Sequence, residues 1–353
     1  MGDYGLYRKI IAGTTGGWTG PLRAMLGMMA VPYSVGVAAR NRWYDRPGAT
    51  RRLPAPVISV GNLTTGGTGK TPLVIDLVQR LIQLGRKPAV LTRGYGAGRD
   101  GRNDEALLVE RRCPDATCIV DADRYRGGMR AFTEFGADVF VLDDGFQHRR
   151  LARDLDIVLL DATCPFGYER LLPRGLLREP PSELRRAQLI ALTRCDQATC
   201  EEITELEARV RAAAPNATRL RCYHRVAAIE RLDGVPVTDS LAGRRAALFA
   251  AIGHPQAFLT TARQLGLEVV GACWRPDHYR YRRRDLRALV LDGRFPAHDL
   301  LLTTEKDAVK LTRMGCAKLD PVRTYVVKIA IDFLGDGSTM LDSVLRRLSL
   351  QSS

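Results

Sequence analysis

No two cysteines in this chain stand at the C-x2-C spacing of a zinc or redox site. The eight present are scattered, and the two closest pairs, Cys113 with Cys118 and Cys195 with Cys200, are C-x4-C. They read as free thiols of a reducing cytoplasm. Internal repeats and low-complexity segments are missing, which excludes a solenoid and a disordered tail. Aromatic residues make up only 7% of the chain, and none interleaves a basic run, so nothing here points to a nucleic-acid partner. Acidic side chains are the minority: 39 Asp and Glu against 53 Lys and Arg leave a net charge of +14, which suits an anionic partner without choosing one. What is present is size: 353 residues, 45% of them hydrophobic, enough for two domains.

A bilayer-spanning run is lacking too. Between Arg23 and Arg40 lie the 16 uncharged residues AMLGMMAVPYSVGVAA, interrupted by Pro32 and short of the roughly 20 needed to cross a membrane. The flanks are basic, with Arg8, Lys9, Arg40, Arg42, Arg46, Arg51 and Arg52 opposed only by Asp3 and Asp45, and Trp18, Tyr33 and Trp43 lie nearby. Two readings fit, a helix lying in one leaflet and a helix packed on the protein core. A cleaved signal peptide fits less well, because Gly and Pro break the segment.

The stretch VGNLTTGGTGKTP, Val60 to Pro72, resembles a phosphate loop that lacks its first glycine, since Thr64 stands where G-x-x-x-x-G-K-[ST] requires one. The chemistry survives the loss. Thr64, Thr65, Gly66, Gly67, Thr68 and Gly69 form a loop whose backbone N–H groups can approach phosphate oxygens; Lys70 brings a point charge, and Thr71 a ligand for Mg²⁺. Before it, residues 56–60 form an apolar run fit for a buried strand, and after it apolar residues recur at helical spacing over 71–84. GGTGKT also resembles the deviant loop of partition-type ATPases, but their signature lysine would fall on Thr65.

Further apolar runs at 87–92, 138–142, 156–160 and 188–192 end in polar or acidic residues, and 117–120 reads as a short strand before a helix over 124–135. That pattern implies a parallel α/β sheet with its site at the strand C-termini. Beyond about residue 220 it restarts, with strands near 222–229, 245–252, 268–272, 300–303 and 325–331, a further apolar run at 287–291, helices near 256–265 and 339–348, and a turn at 253–255. The expected organisation is an apolar, basic helical segment over 1–52, a phosphate-loop domain over 53–220 and a smaller α/β domain over 221–353, whose final helix could pack back on the first.

Asp143 and Asp144, directly after an apolar strand, stand where a carboxylate holds Mg²⁺ or its water; adjacent carboxylates otherwise form a solvated turn. His148 follows them. Arg174, Arg178 and Glu179 lie in the punctuated loop LLPRGLLREP, a candidate phosphate clamp if they are more than solvated charge. His278 sits in PDHY beside a carboxylate and an aromatic; a lone histidine is more often structural than catalytic unless a geometric partner faces it. Thr193-Arg194-Cys195-Asp196 loosely resembles the [NT]KxD guanine reader, which would make the chain a switch GTPase of the metallochaperone type.

Taken together, VGNLTTGGTGKTP, LTRGYG, NDEALL, DRYRGG, LDDGFQHRRLARDLDIVLLD, LLPRGLLREP, PDHY and TTEKDAVKL resemble the tetraacyldisaccharide 4′-kinase family, in order from about Ser59 to Leu311. The family's own loop has the form GNLxxGGxGKT, so Thr64 conforms to it. The resemblance implies a phosphate-loop domain plus a smaller α/β domain. It also implies a kinase that uses ATP and Mg²⁺ on an acylated glucosamine disaccharide 1-phosphate at the cytoplasmic face of the bacterial inner membrane. It assigns Lys70 and Thr71 to ATP and Mg²⁺, and Asp143, Asp144 and Glu179 to the metal and its waters. Asp104 would be the catalytic base, supported by His278, and Arg124, His148 and Arg178 would hold the lipid substrate or its phosphate. Asn103 departs from the glycine common in the family before Asp104.

Overall fold

The computed structural model describes residues 3–14, 19–94, 101–277, 279–282, 284–285, 295, 297–313, 319–320 and 322–350. The apolar run at 287–291, Trp18, His278 and most of the glycine-rich turn after Arg93 lie outside them. The chain divides into two units. The larger holds residues 5–224 and 331–353, and the smaller holds 225–330 with the first few residues.

In the larger unit the strands are β1 (Val57–Asn62), β2 (Pro88–Thr92), β3 (Thr117–Val120), β4 (Val139–Asp143), β5 (Leu155–Asp161) and β6 (Leu189–Thr193). The first part of β7 (Thr218–Arg231) completes the set, and the order is β3-β2-β4-β1-β5-β6-β7 with every pair parallel. β1, β2, β4, β5 and β6 are buried along their whole length. That is why they read as continuous apolar runs: helices cover both faces of a parallel sheet. Parallel pairing also brings their C-terminal ends, Asn62, Thr92, Asp143, Asp161 and Thr193, to one edge.

Two N-terminal helices come first, α1 (Asp3–Ala12) and α2 (Gly20–Tyr44). The helix α3 (Lys70–Gln83) buries Leu73, Val74, Leu77, Val78 and Leu81 against the sheet, a stripe at helical period. Helix α4 (Asp104–Arg112) starts on Asn103, whose side chain accepts from Ala106 N, and α5 (Arg124–Phe135) starts on Asp123, which accepts from Tyr125 N and Arg126 N. A reciprocal Thr199–Glu202 capping box opens α6 (Cys200–Ala213). Neither α4 nor α6 was expected from periodicity. α4 is nine residues long, and α6 buries only Ile203, Leu206 and Val210 among many charges.

The smaller unit has β8 (Arg245–Ala250), α7 (Pro255–Gln264), β9 (Glu268–Trp274), β10 (Leu300–Thr304), α8 (Glu305–Arg313) and most of β11 (Thr324–Phe333). β11, β10, β8 and β9 lie in that order, with parallel pairs. Here the block TTEKDAVKL folds as strand end and helix start. Asp307, fully buried, accepts from Ala251 N at 3.0 Å and from the Thr304 hydroxyl at 2.8 Å. The last helix, α9 (Gly337–Leu350), belongs to the larger unit, where Asp342 pairs with Arg80 at 2.6 Å.

Candidate active site

At the C-terminal end of β1 the chain turns through Leu63 to Gly69 into α3. Gly69 caps that helix in the left-handed region at φ 88°, a conformation costly for residues with a Cβ. Gly61 is required by proximity instead: a Cβ there would meet the Cβ and backbone of Phe146. The loop is strapped along one side by the segment after residue 170, where Leu176 O accepts from Thr65 N at 2.8 Å and Leu63 O from Arg178 N at 2.7 Å. A phosphate loop needs this support, because a glycine-rich segment left loose loses the entropy advantage of a preformed nest.

Lys70 opens α3 with its ammonium 3.2 Å from Asn62 Oδ1 and 3.3 Å from Asp144 Oδ1. Asn62 is oriented by donating to Thr64 O at 2.7 Å. Asp144, in the left-handed region at φ 53°, also receives Arg178 on both oxygens at 3.0 and 2.8 Å. Burial raises the affinity of this carboxylate for a proton, but Lys70 and Arg178 outweigh it and hold the group far below the ordinary carboxylate range. It is therefore ionised at neutral pH. Asp143 is buried beside it at the end of β4. Asp144, Lys70 and Arg178 thus meet at the mouth of the loop, with Asp143 next in the chain.

Arg124 is buried in the first turn of α5 and donates to Ala122 O at 3.2 Å. Burial and Arg93 weaken its hold on its proton, while Asp144 and Asp143 strengthen it. His148 is pushed down to about 4, first by burial and then by Arg124 and Arg153, so its imidazole is neutral near pH 7. Asp104 takes the first position of α4, immediately after its Asn103 cap, at the strand edge that carries Thr92. The asparagine that departs from the family pattern thereby has a structural task. His278 lies outside the described residues.

Glu179 is placed differently. It is 0% exposed, with one oxygen 2.7 Å from Arg40 of α2 and the other 2.5 Å from Arg186 and 3.3 Å from Gln147 Nε2. One oxygen accepts from Arg40 and the other from Arg186 and Gln147, so the carboxylate expected to manage the metal and its waters is part of an ionic network. Its burial is accounted for by this network, which holds α2 and Gln147, and Gln147 in turn donates to Asn62 O at 3.0 Å. Among the described residues no three His, Cys, Asp or Glu side chains form a metal cage. The donors that do meet the loop, Thr71, Asp143 and Asp144, are all oxygens, the set that suits a hard cation completed by phosphates and water.

Helix α2 lies against this loop. Tyr33 donates to Arg178 O at 3.0 Å, and Arg149 binds Asn41 O at 2.9 Å and Asp45 at 2.5 Å. Its other face is bare: Met28 is 69% exposed, and Met25, Met29, Val31, Val35 and Trp43 are exposed as well. The helix runs 25 residues, longer than the uncharged run, and is long and apolar enough to cross a membrane by length and composition. Asn62, Gln147, Arg40 and Arg186 were not singled out in the sequence. Asn62 and Gln147 lie inside the quoted motifs without having been given a role there, and the Arg40–Glu179 and Gln147–Asn62 contacts join residues remote in sequence.

The sequence model of the family described as LpxK, tetraacyldisaccharide-1-P 4′-kinase, matches residues 22–349. A tetraacyldisaccharide 4′-kinase of Anaeromyxobacter dehalogenans (strain 2CP-C) is 40% identical over 354 residues, covering 92% of each chain. One of Syntrophus aciditrophicus (strain SB) is 42% identical over 320 residues, covering 83% of this chain and 86% of that one. In structure, the chain is similar to LpxK from Aquifex aeolicus in complex with ATP, with a TM-score of 0.70 and 29% identity over 93% of this chain and 99% of that one.

Proposed function

The chain belongs to the tetraacyldisaccharide-1-P 4′-kinase family, and from that premise we propose the part each residue takes in its reaction. The protein is an ATP-dependent kinase of lipid A biosynthesis, transferring the γ-phosphoryl group to the 4′-hydroxyl of tetraacyldisaccharide 1-phosphate. One observation carries the assignment of roles: Lys70 stands between Asn62 and an Asp144 kept ionised, at the mouth of a glycine loop that opens a helix. Helix N-terminus, loop N–H groups and ammonium together favour a polyanion there.

The loop residues Thr64 to Thr71 bind the ATP phosphates, and Lys70 leaves Asp144 to neutralise charge that grows on the transferring group. Thr71, Asp143 and Asp144 would hold Mg²⁺, which would supply positive charge to offset that of the phosphates. We give Glu179 the task of fixing α2 and Gln147 beside the loop. Asp104 accepts the proton of the 4′-hydroxyl as that oxygen forms its bond to the γ-phosphorus and the bond to the β-phosphate oxygen breaks, releasing ADP. His278 supports Asp104. Arg124, neutral His148 and Arg178 offer donors to the anionic head of the lipid. The exposed apolar face of α2, with arginines near its end, associates with the cytoplasmic face of the inner membrane, where the acylated substrate resides.

Purified protein with γ-labelled ATP and tetraacyl disaccharide 1-phosphate should yield a product heavier by one phosphoryl group, and GTP should replace ATP poorly. Asp104→Ala should lower kcat greatly with little change in ATP affinity. His278→Ala should do the same, and the double variant should be scarcely worse than Asp104→Ala. Multiplicative losses would mean that the two residues act separately, and near-normal turnover by Asp104→Ala would remove it as the base.

A further inference from the structure

The segment Thr193-Arg194-Cys195-Asp196 has the place of a base reader but is turned toward the phosphate loop. Three consecutive loop residues are each held by a side chain from the end of β6, the residue after it, or the middle of β7. Arg194 donates through one guanidinium nitrogen to Gly67 O at 2.7 Å, and through the other it pairs with Asp161 at the end of β5. The Thr193 hydroxyl donates to Thr68 O at 3.1 Å. The ring of His224 packs on Gly69 so closely that a Cβ there would overlap it, and its Nε2 is closed off from solvent without a hydrogen bond. Arg194 adopts the left-handed region at φ 56°, a strained position for a residue with a Cβ, so its contacts must outweigh that strain.

These contacts act on the peptide planes. A trans peptide is planar, so a carbonyl drawn to one side sends the N–H of the next residue to the other. Tying back Gly67 O aims Thr68 N–H inward, and tying back Thr68 O aims Gly69 N–H inward, which is the nest that an anion requires. Burial, then Arg194, push the His224 imidazole down to about 4, so the ring under Gly69 is neutral packing and not a competing charge. We propose that Arg194, with Asp161, Thr193 and His224, are positioning residues that hold the phosphate loop in its anion-accepting form before ATP arrives.

The inference rests on reading the loop as the ATP phosphate site. The full chain is used, and ATP binding is measured directly with a fluorescent nucleotide alongside KM for ATP, KM for the lipid and kcat. Arg194→Ala should weaken ATP binding and raise its KM by roughly tenfold, the equivalent of one lost charged hydrogen bond, with the lipid KM within about twofold of wild type. Arg194→Lys should recover part of the loss. Thr193→Val keeps the buried shape while deleting the tie to Thr68 O, and should raise KM for ATP by about threefold to tenfold; it decides the matter if Arg194→Ala does not fold. Wild-type ATP affinity in folded Thr193→Val and Arg194→Lys, or equal losses for ATP and lipid, would overturn the inference alone. Wild-type protein that binds no ATP would instead overturn the reading beneath it.

Discussion

Lys70 and Arg178 share one aspartate, and that sharing separates catalysis from stability at the level of single residues. In Lys70→Ala, Asp144 keeps its two-oxygen contact with Arg178, and the lost pair at 3.3 Å involves a carboxylate that is 41% exposed. A pair of that kind is worth about 0–1 kcal/mol, so the melting temperature should move by no more than a few degrees. Phosphoryl transfer should fall by at least ~100-fold, because nothing else in the loop brings a mobile positive charge to the γ-phosphate. Assayed turnover and a thermal melt on the same sample check both halves. Glu179→Gln should behave in the opposite way. It removes the charge that a fully buried carboxylate presents to Arg40 and Arg186; Arg40 is 41% exposed and Arg186 keeps Glu183 at 2.9 Å, so the change should destabilise by about 1–3 kcal/mol, read by urea unfolding. Lys70, Asp143 and Asp144 could be found in the sequence because a strand end and a helix start compress them into short motifs. Arg194 and His224 could not be placed there, since the loop residues they touch are more than 100 positions away.

Among the elements, the buried strands were legible because a parallel sheet covered on both faces demands continuous apolar runs, and β1, β2, β4, β5 and β6 supply them. Helices with little buried surface were not, and α4 and α6 depend on their caps more than on an apolar stripe. Tight approach between elements is invisible to periodicity as well. Gly61→Ala should cost about 1–3 kcal/mol, since β1 and the backbone at Phe146 would have to part; a shift in the urea midpoint with unchanged slope would show it. For α2, the sequence left two arrangements open, leaflet and core. The structure shows a helix tied down along one side by Tyr33, Arg40 and Asn41 and bare along the other. Replacing Met28, Val31 and Val35 together by Glu should reduce binding to acidic vesicles by at least ~100-fold, because each apolar side chain withdrawn from water contributes about 1.5–3 kcal/mol. Binding by the unaltered chain should persist in high salt, which screens arginine attraction but not apolar burial; vesicle flotation measures both.

For the molecule as a whole, acid is the expected weakness. His148 and His224 are both pushed down to about 4, against 6.5 in an unfolded chain. Between those values the unfolded chain binds more protons than the folded one, so stability is full above about 6.5 and falls as pH drops toward 4. Melts from pH 7 to 4.5 should show the decline, and His148→Asn should flatten it. The seat of α2 bears on a different quantity. Tyr33 of that helix bonds the carbonyl of Arg178, and the side chain of Arg178 holds Asp144. One residue therefore separates the apolar helix from the aspartate beside Lys70. An enzyme seated at a membrane as proposed would meet its acceptor by lateral encounter within a two-dimensional film. Its velocity should then follow the surface mole fraction of the disaccharide lipid. Diluting that lipid with inert amphiphile at constant bulk concentration should slow the reaction, whereas adding more film of the same composition should not.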